Sequence, residues 1–88
     1  MPTACIQTPQ TRISRESERL VVVSPDAENG GEQRRDIPLR DLERMILGEM
    51  VSVTMPALAE MLRRRIPVSL VDARGRFLGA FQPAAPDH

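Results

Sequence analysis

The sequence predicts a mainly β protein of α+β type, with about seven short strands arranged as a sandwich or split sheet and one short helix near residues 56–65. Three observations lead there. Val, Ile and Thr gather in short runs divided by Pro, Gly and Asn, residues that favour tight turns over continued regular structure. Residues 67–72 alternate in side-chain character with the period of a strand. Only the segment opened by Pro56 carries an uninterrupted apolar stripe at helical spacing together with a start signal and a stop signal.

Taken in order, Ala4 to Thr8 and Thr11 to Ser14 are β-prone stretches split by Pro9-Gln10, and Leu20 to Ser24 is a run of mostly Val. The polar Arg15-Glu16-Ser17-Glu18 joins the second strand to the third. Residues 25–32 contain Asn29-Gly30-Gly31, which tolerates positive φ and reads as a second hairpin loop before a strand at Gln33 to Leu39. Leu39, Leu42, Met45 and Ile46 recur at helical spacing, yet Met45-Ile46-Leu47 fits a buried strand equally well. Val51-Ser52-Val53 alternates as a brief strand. From Pro56 to about Arg65, Ala57, Leu58, Met61 and Leu62 share one helical face, while Glu60, Arg63 and Arg64 look away from it. Pro67 stops the helix, and Pro67 to Asp72 follows as a strand with Val68 and Leu70 on one side and Ser69 and Val71 on the other. Asp72-Ala73-Arg74-Gly75 is a hairpin turn, and Arg76 to Gln82 returns as the last strand, with Phe77, Gly79 and Phe81 on one face. Residues 83–88, with two prolines and no periodicity, have linker composition, so the domain is expected to occupy residues 1–82.

Composition narrows the function. A chain of 88 residues forms one domain at most and buries a modest fraction of its surface. With no Trp, no Tyr and two Phe, its core is aliphatic, and a partner surface is expected to complete it. The twelve basic side chains are all Arg and are matched by twelve Asp and Glu, so no overall positive field draws the chain to nucleic acid or an anionic membrane. Cys5 has no disulfide partner and reads as a small buried hydrophobe in a cytoplasmic protein. No apolar run reaches bilayer length, and the N-terminus lacks the basic-then-apolar order of a secretory signal.

Few residues offer chemistry. Asp26, Glu28 and Glu32 match no calcium-loop spacing and read as a solvated loop, and His88 reads as a terminal tail residue. Cys5 lacks an activating His or cationic neighbour in the sequence, and the Gly pairs 30/31 and 75/79 lack the strand, Gly-rich turn and helix order of a phosphate loop. No catalytic, metal or cofactor residue is therefore assigned. The candidates for DNA contact are Arg63, Arg64, Arg65, Arg74 and Arg76, five guanidiniums expected to converge from helix end and hairpin, with only Glu60 and Asp72 opposing them locally. Cations at a helix C-terminus also serve simply to complement its dipole. Val21, Val23, Leu70 and Phe81 are the candidates for a dimer surface, with ordinary core packing as their alternative role.

One order of motifs is more specific than any of its pieces. Ile37-Pro38-Leu39, Leu42-Glu43, Met45-Ile46-Leu47, Val51-Ser52-Val53, Pro56-Ala57-Leu58, Leu62, Ile66-Pro67-Val68 and Gly75-Arg76-Phe77-Leu78-Gly79 follow one another without a gap. This order resembles CRISPR-associated protein one, the spacer-acquisition integrase and endonuclease of antiviral defence, in its N-terminal β-domain. The resemblance is closest from Ile37 to Pro83 and looser before it. Met55 stands where that family usually has a polar N-cap, and Arg65 where it usually has Gly. A displaced cap at Thr54 is the expected remedy for the first.

The resemblance implies that residues 39–43 form a turn and Met45 to Leu47 a strand. It also implies a homodimer joined through the β-domain, CRISPR-associated protein two and double-stranded DNA as partners, and a divalent Mg or Mn site in a following helical domain. The family's Glu, His and Asp ligands match no position here, so this 88-residue chain is expected to be a scaffold rather than an enzyme, and residues 83–88 to begin the linker to that domain. The alternative is a stand-alone β-rich protein-interaction module.

Overall fold

The computed structural model describes residues 3–26 and 28–84. Eight strands, a single 3-10 turn and one α-helix run in the order β1 (Thr3–Ile6), β2 (Arg12–Glu16), β3 (Arg19–Asp26), β4 (Gly31–Pro38), the 3-10 turn (Leu39–Asp41), β5 (Arg44–Gly48), β6 (Ser52–Val53), α1 (Met55–Arg63), β7 (Val68–Val71) and β8 (Phe77–Phe81). The strand beyond the seven expected is β5, from the segment whose spacing also fitted a helix. Its Met45 and Leu47 are buried alternately, as a strand requires. Residues 85–88, including His88 and most of the expected linker, lie outside the described residues.

The strands form two four-stranded sheets, ordered β1-β5-β7-β8 and β4-β3-β2-β6. In the first sheet β1, β5 and β7 are mutually parallel and β8 closes back antiparallel on β7. In the second, β2-β3-β4 is an antiparallel meander and the two-residue β6 pairs parallel with β2. The residues between β1 and β5 therefore build most of the opposite sheet.

Register decides what each face carries. In the first sheet Ala4, Met45 and Val68 lie side by side, and Ile6, Leu47 and Leu70 form the next row. In the second sheet, Ile13 and Val22 are opposite each other, as are Leu20 and Ile37. These rows face one another across an aliphatic core that Leu39, Leu42, Ala57, Leu58, Met61 and Ile66 complete. Both Phe side chains lie outside that core.

The helix is held at both ends by local bonds. Thr54 is its N-cap, its hydroxyl accepting from the Ala57 N–H at 3.3 Å, which replaces the cap that Met55 cannot provide. At the far end the Ile66 N–H reaches the Met61 carbonyl at 2.9 Å and the Arg65 N–H reaches that of Leu62 at 3.0 Å. This is a Schellman pattern, with the buried Met61 and Ile66 as its apolar pair. The pattern needs a left-handed residue after the helix, and Arg65 takes it at φ 64°. An L side chain is unfavourable there, which explains why a glycine suits this position.

Two expectations are corrected. Cys5 is exposed rather than buried, because it sits in register with Ile46 on the sheet face turned away from the core. The simple alternation expected along residues 67–72 breaks at a β-bulge: Leu70 pairs with Gly79 but Val71 with Phe77, leaving Leu78 as the extra residue. Val71 is buried like Val68, while Ser69 and Leu70 between them are half-buried.

Candidate functional site

The arginines expected to converge do not. Arg63, Arg64 and Arg65 end the helix before β7 begins, whereas Arg74 and Arg76 lie in the hairpin after β7 ends. The extended strand between them spans roughly 13 Å. The two groups also differ in their partners. Glu60 accepts from Arg63 Nη1 at 2.6 Å and Arg64 Nε at 2.9 Å, with Arg15 Nη1 3.5 Å away. These donors, that of Arg64 foremost, hold the Glu60 carboxyl below its ordinary range. In the hairpin the Asp72 carboxylate accepts the backbone N–H groups of Arg76 and Arg74, each at 2.9 Å, which lowers its pKa and shapes the turn. The Arg76 guanidinium adds an ion pair with Asp72 at 3.6 Å.

Three of the five candidates are thus engaged by carboxylates. Among the described residues, Arg65 and Arg74 make no ion pair; Arg65 only approaches the Ala84 carbonyl at 3.5 Å. Sequence reasoning passed over Arg44 and Arg35, which are also exposed and without an ion pair among the described residues. Arg44 opens β5, where the Met45 N–H donates to the Pro67 carbonyl at 3.0 Å, so Arg44 and Arg65 belong to the same end of the first sheet. The signal that reveals Arg44 is the strand assignment of β5, which places it at a sheet end.

The acidic loop is structural. Asp26 accepts from Asn29 Nδ2 at 3.0 Å and from the Glu28 N–H at 3.2 Å, while Glu32 pairs with Arg12 at 3.1 Å. The Asn29 side chain is the main reason that the Asp26 carboxyl is lowered. No three acidic, His or Cys side chains converge among the described residues.

The four apolar candidates also separate. Val21 is 6% exposed, on the outer face of the second sheet, beneath a lattice of ion pairs. There Arg19 pairs with Glu16 at 2.6 Å and Asp36 at 2.9 Å, and Arg34 with Asp36 at 3.1 Å. The hydrogen bond from Arg34 leads the causes that lower the Asp36 carboxyl, and Asp36 in turn raises Arg34. Val23, half-buried, lies opposite Arg12 and Arg34 on that same charged face. Leu70 packs against the core. Only Phe81 is openly available, at 48% exposure, and it is joined on β8 by Phe77 at 67% and Leu78 at 53%.

The family model described as CRISPR associated protein Cas1 matches residues 4–88. The chain belongs to the Cas1 family. A CRISPR-associated exonuclease Cas4/endonuclease Cas1 fusion of Rhodospirillum rubrum is 36% identical over 74 residues, covering 84% of this chain and 12% of the fusion. A partial Cas6-RT-Cas1–Cas2 complex contains a chain that superposes with a TM-score of 0.75 at 25% identity, over 98% of this Cas1 chain and 25% of its own. A Cas1 protein from Thermotoga maritima shares the fold with a TM-score of 0.72 at 19% identity, over 96% and 25% of the two chains. This Cas1 chain therefore spans a small part of the length of the relatives it matches. Among the described residues no helix is long and apolar enough to cross a membrane.

Proposed function

We propose that this chain is the N-terminal subunit-pairing module of a Cas1 integrase, and that two copies meet through β8. The observation that carries this reading is the placement of both Phe residues. In a chain whose core is wholly aliphatic, Phe77 and Phe81, with Leu78, stand exposed on an unpaired edge strand. Exposed aromatics concentrated on one edge are the signature of a surface completed by a partner. The bulge at Leu78 sets that edge apart from a bare pairing template, so side-chain burial supplies the contact rather than ladder hydrogen bonds alone.

In this reading the module fixes the geometry of two subunits in the cytoplasm during spacer acquisition. Cas2 and double-stranded DNA are the further partners; membership of the family supports both, and the likeness to a chain of a Cas6-RT-Cas1–Cas2 complex supports the first. Mg or Mn and the strand-transfer chemistry belong to the part of the relatives' length that this chain does not match. DNA phosphates are met by Arg65 and Arg74, whose guanidiniums no carboxylate among the described residues occupies.

Sedimentation velocity of the chain across concentration tests the pairing. The expected result is a reversible dimer that Phe77→Ser and Phe81→Ser each weaken by about tenfold or more, since burial of each ring is worth roughly 1.5–3 kcal/mol. A wild-type chain that stays monomeric up to about 1 mM, or a double variant that dimerises like the wild type, would overturn the reading.

A further inference from the structure

Independently of β8, the opposite side of the sandwich is open. The edge strand β1 of the first sheet and the edge strand β4 of the second leave two adjoining grooves between them, of about 610 and 390 Å³, with Cys5 and Arg35 lining both. Among the described residues no strand pairs with the free side of either β1 or β4, so both present unpaired backbone donors and acceptors to the seam.

The two edges are not alike. β4 carries Glu32, Gln33, Arg34, Arg35 and Asp36 in succession, the charged dress that keeps an edge from recruiting another strand. β1, Thr3-Ala4-Cys5-Ile6, has no charge and no proline. It is the unprotected template.

The seam also has a polarity. Arg35 lies opposite Val22 in register, on the face of β4 that looks across to the first sheet, and it makes no ion pair among the described residues. Its neighbour Arg34 is spent on Glu16 and Asp36. The larger groove has no acidic residue in its lining, and Ile6 and Val22 give it an apolar floor. Between an unprotected edge and a guanidinium without a carboxylate, a strand bearing one acidic side chain satisfies both.

We propose that the β1–β4 seam is a docking site for an extended peptide segment of a partner protein, which adds as a strand to the free edge of β1 and places an inward-facing Asp or Glu on Arg35. Main-chain bonds to β1 give such a complex its affinity and the carboxylate its selectivity. Nucleic acid is the less fitting occupant, because a phosphate backbone needs several available cations in a row and the seam offers one.

The test uses the chain itself and a synthetic hexapeptide, acetyl-Val-Thr-Val-Glu-Val-Thr-amide, with binding followed by two-dimensional amide NMR. The expected result is saturable shift changes confined to β1, β4 and their flanks. Affinity falls about threefold to fivefold for the Glu→Gln peptide, as for Arg35→Gln protein, the upper range for an exposed ion pair. A peptide N-methylated at alternate residues, which cannot donate along one edge, is expected to lose binding altogether. Arg35 is exposed and outside the core, so Arg35→Gln is checked as folded by its far-UV circular dichroism. No binding, equal affinity for the Glu and Gln peptides, or shifts centred on β8 would overturn the proposal. So would a single-stranded 20-mer oligonucleotide that occupies the seam more tightly than the peptide.

Discussion

Replacing Arg65 by glycine is expected to make this protein more stable, although it deletes a whole side chain. Arg65 holds φ 64° because the Schellman bonds of Ile66 to Met61 and of Arg65 to Leu62 require a left-handed residue at that point. An L residue there costs about 1–2 kcal/mol relative to glycine. Glycine gives back about 0.5–1 kcal/mol through the larger freedom of the unfolded chain. The side chain itself contributes little, since among the described residues its one hydrogen bond is an exposed 3.5 Å approach to the Ala84 carbonyl. The balance is a gain of about 0.5–1 kcal/mol, or roughly 3–6 °C in melting temperature for a domain of this size. Arg65→Ala is the control, because it removes the same contact and keeps the penalty. Thermal melts followed by far-UV circular dichroism suit a chain without Trp or Tyr. If Arg65→Gly melts no higher than Arg65→Ala, the left-handed strain is not what this position costs, and the reasoning fails.

Two further expectations concern charge. Asp26, Asp36, Glu60 and Asp72 all have carboxyl pKa values lowered in the fold, so each contributes stability at neutral pH that disappears as pH falls through the lowered values, below about 4. The arginines bonded by Asp36, Glu60 and Asp72 keep their charge throughout, so urea midpoints are expected to be lower at pH 3 than at pH 7; equal midpoints would show that these contacts add nothing. In binding to a 20-base-pair duplex, Arg65→Gln combined with Arg74→Gln is expected to flatten the dependence of log affinity on log salt by about 1.8, the change for two lost phosphate contacts. An unchanged slope removes both residues from the DNA interface.

Local chemistry made much of this fold legible. The Val run of β3, the turns at Gly30 and Gly75, the stripe of α1 and the displaced cap at Thr54 all act through neighbours in sequence, where spacing and conformational preference are decisive. β5 escaped periodicity because three apolar residues are too few to separate a strand from a helical turn, and only the order of motifs around it resolved the choice. The exposure of Cys5 and of Phe77 was not legible, and that of Phe81 only as one of two roles, since burial in a strand depends on which sheet face or edge it occupies. That in turn rests on pairings such as β1 with β5, about forty residues apart. The arginine candidates failed to gather for the same reason. A single strand of intervening chain carries Arg74 and Arg76 to the far end of the sheet, and carboxylates already present at each end claim three of the five guanidiniums.

The parallel neighbours β1 and β5 impose an order of assembly. Loops closing over few residues form with less entropic cost than long ones, so the β2-β3-β4 meander is able to collapse while the chain is still short. β1, about forty residues ahead of its partner in sequence, must instead wait until residues 44–48 exist before it can pair alongside them. Until that pairing forms, both edges of β1 stay open, and one of them is still open in the finished fold.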